Sequence, residues 1–177
     1  MIAPPSYDVL VVGAGLAGMR AAISAYEHGA TVAIITKVHP VRSHSNAAQG
    51  GINAALTDRG DKWEDHAFET VKGSDYLGDQ DAVEVLAREA GQDIITLEHM
   101  GVIFNRNEEG LLGTRRFGGQ KRARTFFVSD FTGQALLHVL YEQIMQAKIP
   151  VYEEWFVTSL VKDDQGHCGG LVAFDIR

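Results

Sequence analysis

Three glycines at fixed spacing, Gly13-x-Gly15-x-x-Gly18, are the first residues able to do chemistry. The pattern suits a dinucleotide pyrophosphate. The first glycine permits a tight turn, the second lets backbone approach phosphate, and the third lets a helix pack closely on a sheet. Phosphate charge then meets the free N–H groups and positive dipole end of that helix, around Ala14, Leu16 and Ala17. An acid at the end of the next strand would bind ribose hydroxyls. Here that strand ends Thr36-Lys37. Lys37 suits a 2′-phosphate, and Thr36 suits a ribose through hydroxyl and backbone, so the glycine turn leaves FAD and NAD(P) both open. A lone histidine, His44, follows in a loop of small residues. Farther on, Phe117 stands beside Gly118-Gly119 among Arg115, Arg116, Lys121, Arg122 and Arg124, with no acid from Leu111 to Ser129. In an acidic chain such a patch can draw a dianion toward a site, or be a solvated loop or partner surface.

The elements that must position these residues follow from periodicity. Asp8 to Val12 is a short apolar run ending at Gly13, the pattern of a parallel strand buried on both faces. Leu16, Met19, Ile23 and Tyr26 recur at helical spacing, and Gly29 suits a left-handed helix end. Thr31 to Thr36 is a second buried strand, completing a right-handed β-α-β unit. Lys37 to Thr57 has no periodicity and reads as loop. Asp61-Lys-Trp-Glu64 has the form of a capping box opening a helix to Lys72. Val83, Leu86, Ala90, Ile94 and Leu97 mark another helical face ending at Gly101. Asn105 to Gly119 reads as loop or hairpin. Thr132 is an expected N-cap for a helix whose face is Leu136, Leu140, Ile144 and Ala147, closed by Pro150. Val151 to Val161 and Gly170 to Ile176 read as strands of a hairpin around Asp163-Asp-Gln-Gly166.

Composition excludes several classes. The chain has 177 residues, 45% of them hydrophobic, and a net charge of −7, ordinary for a globular domain. No apolar run nears the roughly 20 residues of a membrane span. Met1 to Tyr7 has neither a secretory nor a transit pattern. The acidic balance argues against nucleic acid as a partner. A single cysteine, Cys168, forbids an internal disulfide or a cysteine-based metal site, so no metal is expected.

Arg42-Ser-His-Ser-Asn-Ala-Ala-Gln-Gly-Gly-Ile52 resembles the flavin-attachment segment of the succinate dehydrogenase and fumarate reductase flavoprotein subunits. Val71 to Ala82, Leu97 to Gly101, Arg116-Phe-Gly-Gly119, Asp130 to His138 and Glu154 to Val157 resemble further family segments, in the family's order. The resemblance implies an α/β fold: a Rossmann-like FAD-binding domain of glutathione-reductase type, with a parallel sheet, flanking helices and a β-hairpin or meander. It implies FAD held covalently by His44, and cofactor contacts from Gly13, Ala14, Gly15, Leu16, Ala17, Gly18, Thr36, Lys37, Ser43, Ser45, Ala48, Gln49, Gly50, Gly51 and Val157. Ala47, Ala48, Gly50 and Gly51 are small enough for backbone to approach a flat isoalloxazine. Phe117 falls where the family presents an aromatic side chain to a dicarboxylate. The implied partners are succinate or fumarate, an iron–sulfur subunit that takes the electrons, and membrane-anchor subunits reached indirectly. The implied location is cytoplasmic, peripheral on the inner face of the cell membrane.

The chain also departs from the family. Phe131 and Gln134 stand where many succinate dehydrogenases carry a basic residue and a histidine. The loop from Gly119 to Thr125 is short, as in some fumarate reductases and in L-aspartate oxidases, whereas Gln49 suits succinate-oxidising members. Aspartate oxidases lack the attaching histidine. The family's proton-shuttling arginine and main carboxylate ligands match nothing here, so residues 1–177 are expected to supply the N-terminal portion of the FAD domain, without capping domain, C-terminal segments or catalytic residues, and to be inactive alone. An aspartate-oxidase-like flavoenzyme, an NADP-dependent oxidoreductase and a non-catalytic dinucleotide module stay open.

Overall fold

In the computed structural model, which describes residues 5–177, the elements run in chain order as follows. They are β1 (Val9–Val12), α1 (Leu16–Glu27), β2 (Val32–Thr36), β3 (Ile52–Asn53), α2 (Trp63–Gly73), α3 (Gln80–Met100), β4 (Thr114–Arg115), β5 (Thr125–Phe126), α4 (Thr132–Gln146), β6 (Val151–Glu153), β7 (Trp155–Lys162) and β8 (Cys168–Asp175). Two compact units form. One holds the described residues up to Ala47 together with Leu136–Arg177, and the other is Ala48–Ala135.

The first unit is built on a parallel sheet in the order β1-β2-β6. Val9 pairs with Val32 and Val12 with Ile35, while Ile34 and Thr36 pair with Val151 and Glu153. All five β2 residues are buried, as a central parallel strand requires. β1 differs from expectation: its residues are only half-buried and Val12 is 55% exposed. Among the described residues it has one ladder neighbour and lies at the sheet edge. The buried stripe of α1 is Met19, Ala22 and Ile23, whereas Tyr26, in the final turn, is exposed. Gly29 takes the left-handed conformation that ends the helix, with φ +85°. Leu136, Leu137, Leu140 and Ile144 of α4 are buried.

The stretch from Val151 to Val161, expected as one strand, is two. Glu154, at φ +62°, turns the chain out of the parallel sheet and into an antiparallel hairpin of β7 and β8. The acidic pair Glu153-Glu154 interrupts the apolar residues at that break. The hairpin turn is where its residue types place it: the Asp163 carboxylate accepts from the Gln165 and His167 N–H groups, and Gly166 has φ +86°.

The second unit joins α2 and α3 to a small antiparallel sheet in the order β3-β5-β4. α3 is capped by the Asp79 carboxylate, which accepts from Ala82 N–H, and ends at Gly101 with φ +117°. Asn105 to Gly119 is hairpin-like, with an antiparallel bridge between Arg106 and Leu112. The expected capping box at Asp61 does not form. α2 starts at Trp63 without a side-chain cap, because the Asp61 carboxylate is buried against Arg124. Thr132 is the first residue of α4 rather than the residue before it, and its hydroxyl accepts from Val128 N–H.

Candidate functional site

In the first unit the sheet ladder runs up to the glycine turn, with Gly13 N–H donating to Ile35 O at 2.8 Å. Gly13 has φ +101°, a conformation that favours glycine. Gly15 occupies the N-cap of α1 with no side chain to cap the helix, and no acid stands in the first turn. The helix end where Leu16, Ala17 and Gly18 begin is therefore left to an anion. Gly18 is fixed by packing: a Cβ there would lie 2.0 Å from Gly13 O. A Cβ on Gly15 would come within 3.1 Å of Ser43 Oγ, so the turn meets the start of the histidine loop. Ser43 Oγ in turn accepts from Ser45 N–H at 3.4 Å.

His44 opens a single 3-10 turn, His44–Ala47. It is exposed, and its ring has no hydrogen-bond partner among the described residues. Thr36 is buried and donates its hydroxyl to Val38 O at 2.8 Å, so that proton is committed within the chain. Lys37 is exposed beside it. Val157 sits on β7, opposite Ala173.

In the second unit Ala48, Gln49, Gly50 and Gly51 form an exposed strip. Its carbonyls are anchored in succession. Ala48 O accepts from Gly133 N–H at 2.8 Å, Gln49 O from Arg115 Nη2 at 3.0 Å, and Gly50 O from Arg115 Nε at 3.1 Å. Thr132 Oγ1 lies 3.5 Å from Gln49 O. The N–H groups of Gln49, Gly50 and Gly51 have no partner among the described residues. Gly51 has φ +112°, and a Cβ would stand 2.4 Å from Phe126 O. The Phe117 ring reaches within 3.5 Å of where a Gly50 Cβ would be, and it is 44% exposed. Its backbone is pinned by the buried Gln120, whose Oε1 accepts from Phe117 N–H while its Nε2 donates to Asn53 Oδ1.

The basic stretch is not one patch. Arg124 is 2% exposed, forks onto Asp61 with bonds of 2.9 and 3.0 Å, and faces Glu69 at 3.1 Å. The second contact is a charge contact without hydrogen-bond geometry. Arg115 is committed to backbone, and Arg116 Nε donates to Gln120 O. Arg116, Lys121 and Arg122 are the exposed members of the stretch. Beside Arg124, His66 is buried; burial, and then the Arg124 charge, hold its pKa below the usual 6.5.

Sequence reasoning missed three parts of this arrangement. Gln120 is an ordinary loop residue by pattern. Arg124 carries no sign that it is buried, beyond lying next to the β-forming run Thr125 to Val128. Arg115 is one of five basic residues in its stretch, and the Gln49 and Gly50 carbonyls it holds are remote in sequence.

The residues present fit a flavin dinucleotide. The uncapped helix with its glycine turn suits a pyrophosphate, and the exposed strip, with free N–H groups and only Gln49 carrying a long side chain, suits a flat polar ring. Residues 8–177 match the sequence model of a family described as "FAD binding domain". The chain is 47% identical over 181 residues to the mitochondrial succinate dehydrogenase [ubiquinone] flavoprotein subunit of Oryza sativa subsp. japonica, covering 97% of this chain and 29% of the relative. It is 43% identical to the fumarate reductase flavoprotein subunit of Mycobacterium tuberculosis, covering 96% and 29%. A quinol fumarate reductase structure from E. coli superposes with a TM-score of 0.88 and 41% identity, covering 96% of this chain and 29% of that one. The chain thus spans about three tenths of the length of the relatives it matches.

Proposed function

The chain belongs to the FAD-binding domain family, and on that premise we propose that it is the flavin-holding part of an enzyme interconverting succinate and fumarate. The observation carrying this reading is His44: an exposed imidazole without a hydrogen-bond partner, next to a serine that touches the glycine turn. Such a ring nitrogen would hold the flavin through its 8α carbon. Bound flavin supplies hydride transfer to and from the dicarboxylate. Gly13 to Gly18, with Ser43 and Ser45, hold the pyrophosphate; Thr36 and Lys37 serve the ribose, and Val157 the adenine end. Ala48, Gln49, Gly50 and Gly51 lie against the ring, and Phe117 packs on the substrate. No residue of the chain is assigned the proton transfer.

In this reading the full-length protein passes electrons to an iron–sulfur subunit and reaches the inner face of the membrane through anchor subunits. Two of its relatives are named as flavoprotein subunits, which supports a multi-subunit setting. No helix among the described residues is long and apolar enough to cross a membrane.

Replacing His44 by Ser in the full-length protein tests the link. FAD should become removable by acid precipitation, and succinate oxidation should fall more than fumarate reduction, since covalent attachment raises the flavin potential. Acid-stable flavin in that variant contradicts the assignment.

A further inference from the structure

We propose that Arg115 is a positioning residue that fixes two backbone N–H donors, those of Gly50 and Gly51, for the flavin ring. The inference rests on the flavin reading above and deepens it. A trans peptide unit is planar, so holding its carbonyl on one side directs its N–H to the other. The Gln49 carbonyl shares a peptide plane with Gly50 N–H, and the Gly50 carbonyl shares one with Gly51 N–H. Arg115 holds both carbonyls with one fork: Gly50 O accepts from Nε at 3.1 Å and from Nη2 at 2.5 Å, and Gln49 O accepts from Nη2 at 3.0 Å. Both N–H groups are left without a partner among the described residues.

The fork is itself held. The guanidinium carbon lies 4.3 Å from the Phe127 ring centroid and 5.3 Å from that of Phe117. A planar guanidinium resting against two aromatic rings is pre-organised in a way that a lysine ammonium is not. Gly50 and Gly51 bring no side chain of their own to the strip, and Gly51 tolerates none, since its Cβ would meet Phe126 O. The same guanidinium adds a positive charge behind two aligned peptide dipoles. Uptake of two electrons and one proton gives a flavin bearing negative charge on its ring, and fixed donors stabilise that form over the oxidised one. Arg115 thus acts through the backbone and makes no contact with substrate.

The test uses the full-length, FAD-loaded protein and its Arg115→Gln and Arg115→Lys variants, with the midpoint potential of bound flavin read by anaerobic titration. Arg115→Gln should weaken reduction at least tenfold, a fall of about 30 mV for a two-electron couple. Arg115→Lys, which keeps charge but loses the fork, should recover only part of that fall. FAD content is measured alongside, because a purely packing role would lower occupancy without moving the potential of the flavin that remains. An unchanged potential in FAD-bearing Arg115→Gln overturns the proposal. If that variant does not fold, Arg115→Lys carries the test, and a potential equal to wild type overturns it. Wild-type protein without FAD would instead refute the flavin reading, a separate outcome.

Discussion

Gly18 and Gly15 belong to one motif yet stand under different constraints. A methyl at Gly18 would meet backbone oxygen at 2.0 Å, whereas at Gly15 it would meet the movable Ser43 hydroxyl at 3.1 Å. Gly18→Ala should therefore destabilise by about 1–3 kcal/mol or more, as overpacking does. Gly15→Ala should leave the thermal midpoint nearly unchanged and weaken FAD binding instead. Thermal melts with and without added FAD check both. His66 gives a pH prediction. Its folded pKa lies below the unfolded value of 6.5, because burial and Arg124 disfavour the charged ring. Stability from this group is therefore full above pH 6.5 and is lost as pH falls from there through the folded pKa. Denaturant titrations from pH 7.5 downward should show that loss, and His66→Phe should flatten it between pH 6.5 and the folded pKa. Equal slopes would contradict the assignment. The glycine spacing was readable because each glycine answers to a local backbone demand. His66 was not, since part of what lowers its pKa is the charge of Arg124, 58 positions away in the chain.

At the scale of elements, the β-α-β unit, the long helix to Gly101 and the hairpin turn at Asp163 were legible, each carried by a periodicity or a turn residue. The failures share a cause. Asp61 matches a capping box locally, but its carboxylate is taken by Arg124 from β5's flank. The break at Glu154 depends on which strand pairs with which, and although Glu153-Glu154 interrupts the apolar residues there, two acids alone do not say that the chain changes sheet. The Asp61–Arg124 pair predicts a large effect: Asp61→Asn or Arg124→Met should destabilise by about 3–5 kcal/mol, because the partner is left buried and uncompensated. Glu84→Gln, which removes the exposed ion pair with Arg88 on α3, should cost no more than about 0.5 kcal/mol. Denaturant midpoints of the single variants check the contrast. Comparable losses would mean that the buried pair is not the tie between α2 and the second unit's sheet.

On the scale of the whole molecule, the chain carries a family match across residues 8–177 and two compact units, each with residues that the proposed flavin reading assigns to the cofactor. The first offers the uncapped helix, the serine contact and the open histidine; the second offers the carbonyl-anchored strip and Phe117. The fold class and the flavin were readable from the order Gly13-x-Gly15-x-x-Gly18, then Arg42 to Ile52, since both depend on small residues at defined places. The role of Arg115 was not, because it acts through carbonyls some 65 residues away. The most direct measurement is a mass spectrum of a tryptic digest of the full-length protein, in which cleavage after Arg42 and Arg59 isolates residues 43–59. The peptide should carry a flavin-sized adduct, localised to His44 by fragmentation and absent from His44→Ser. The bare peptide mass, from protein purified with its flavin, would contradict the covalent assignment.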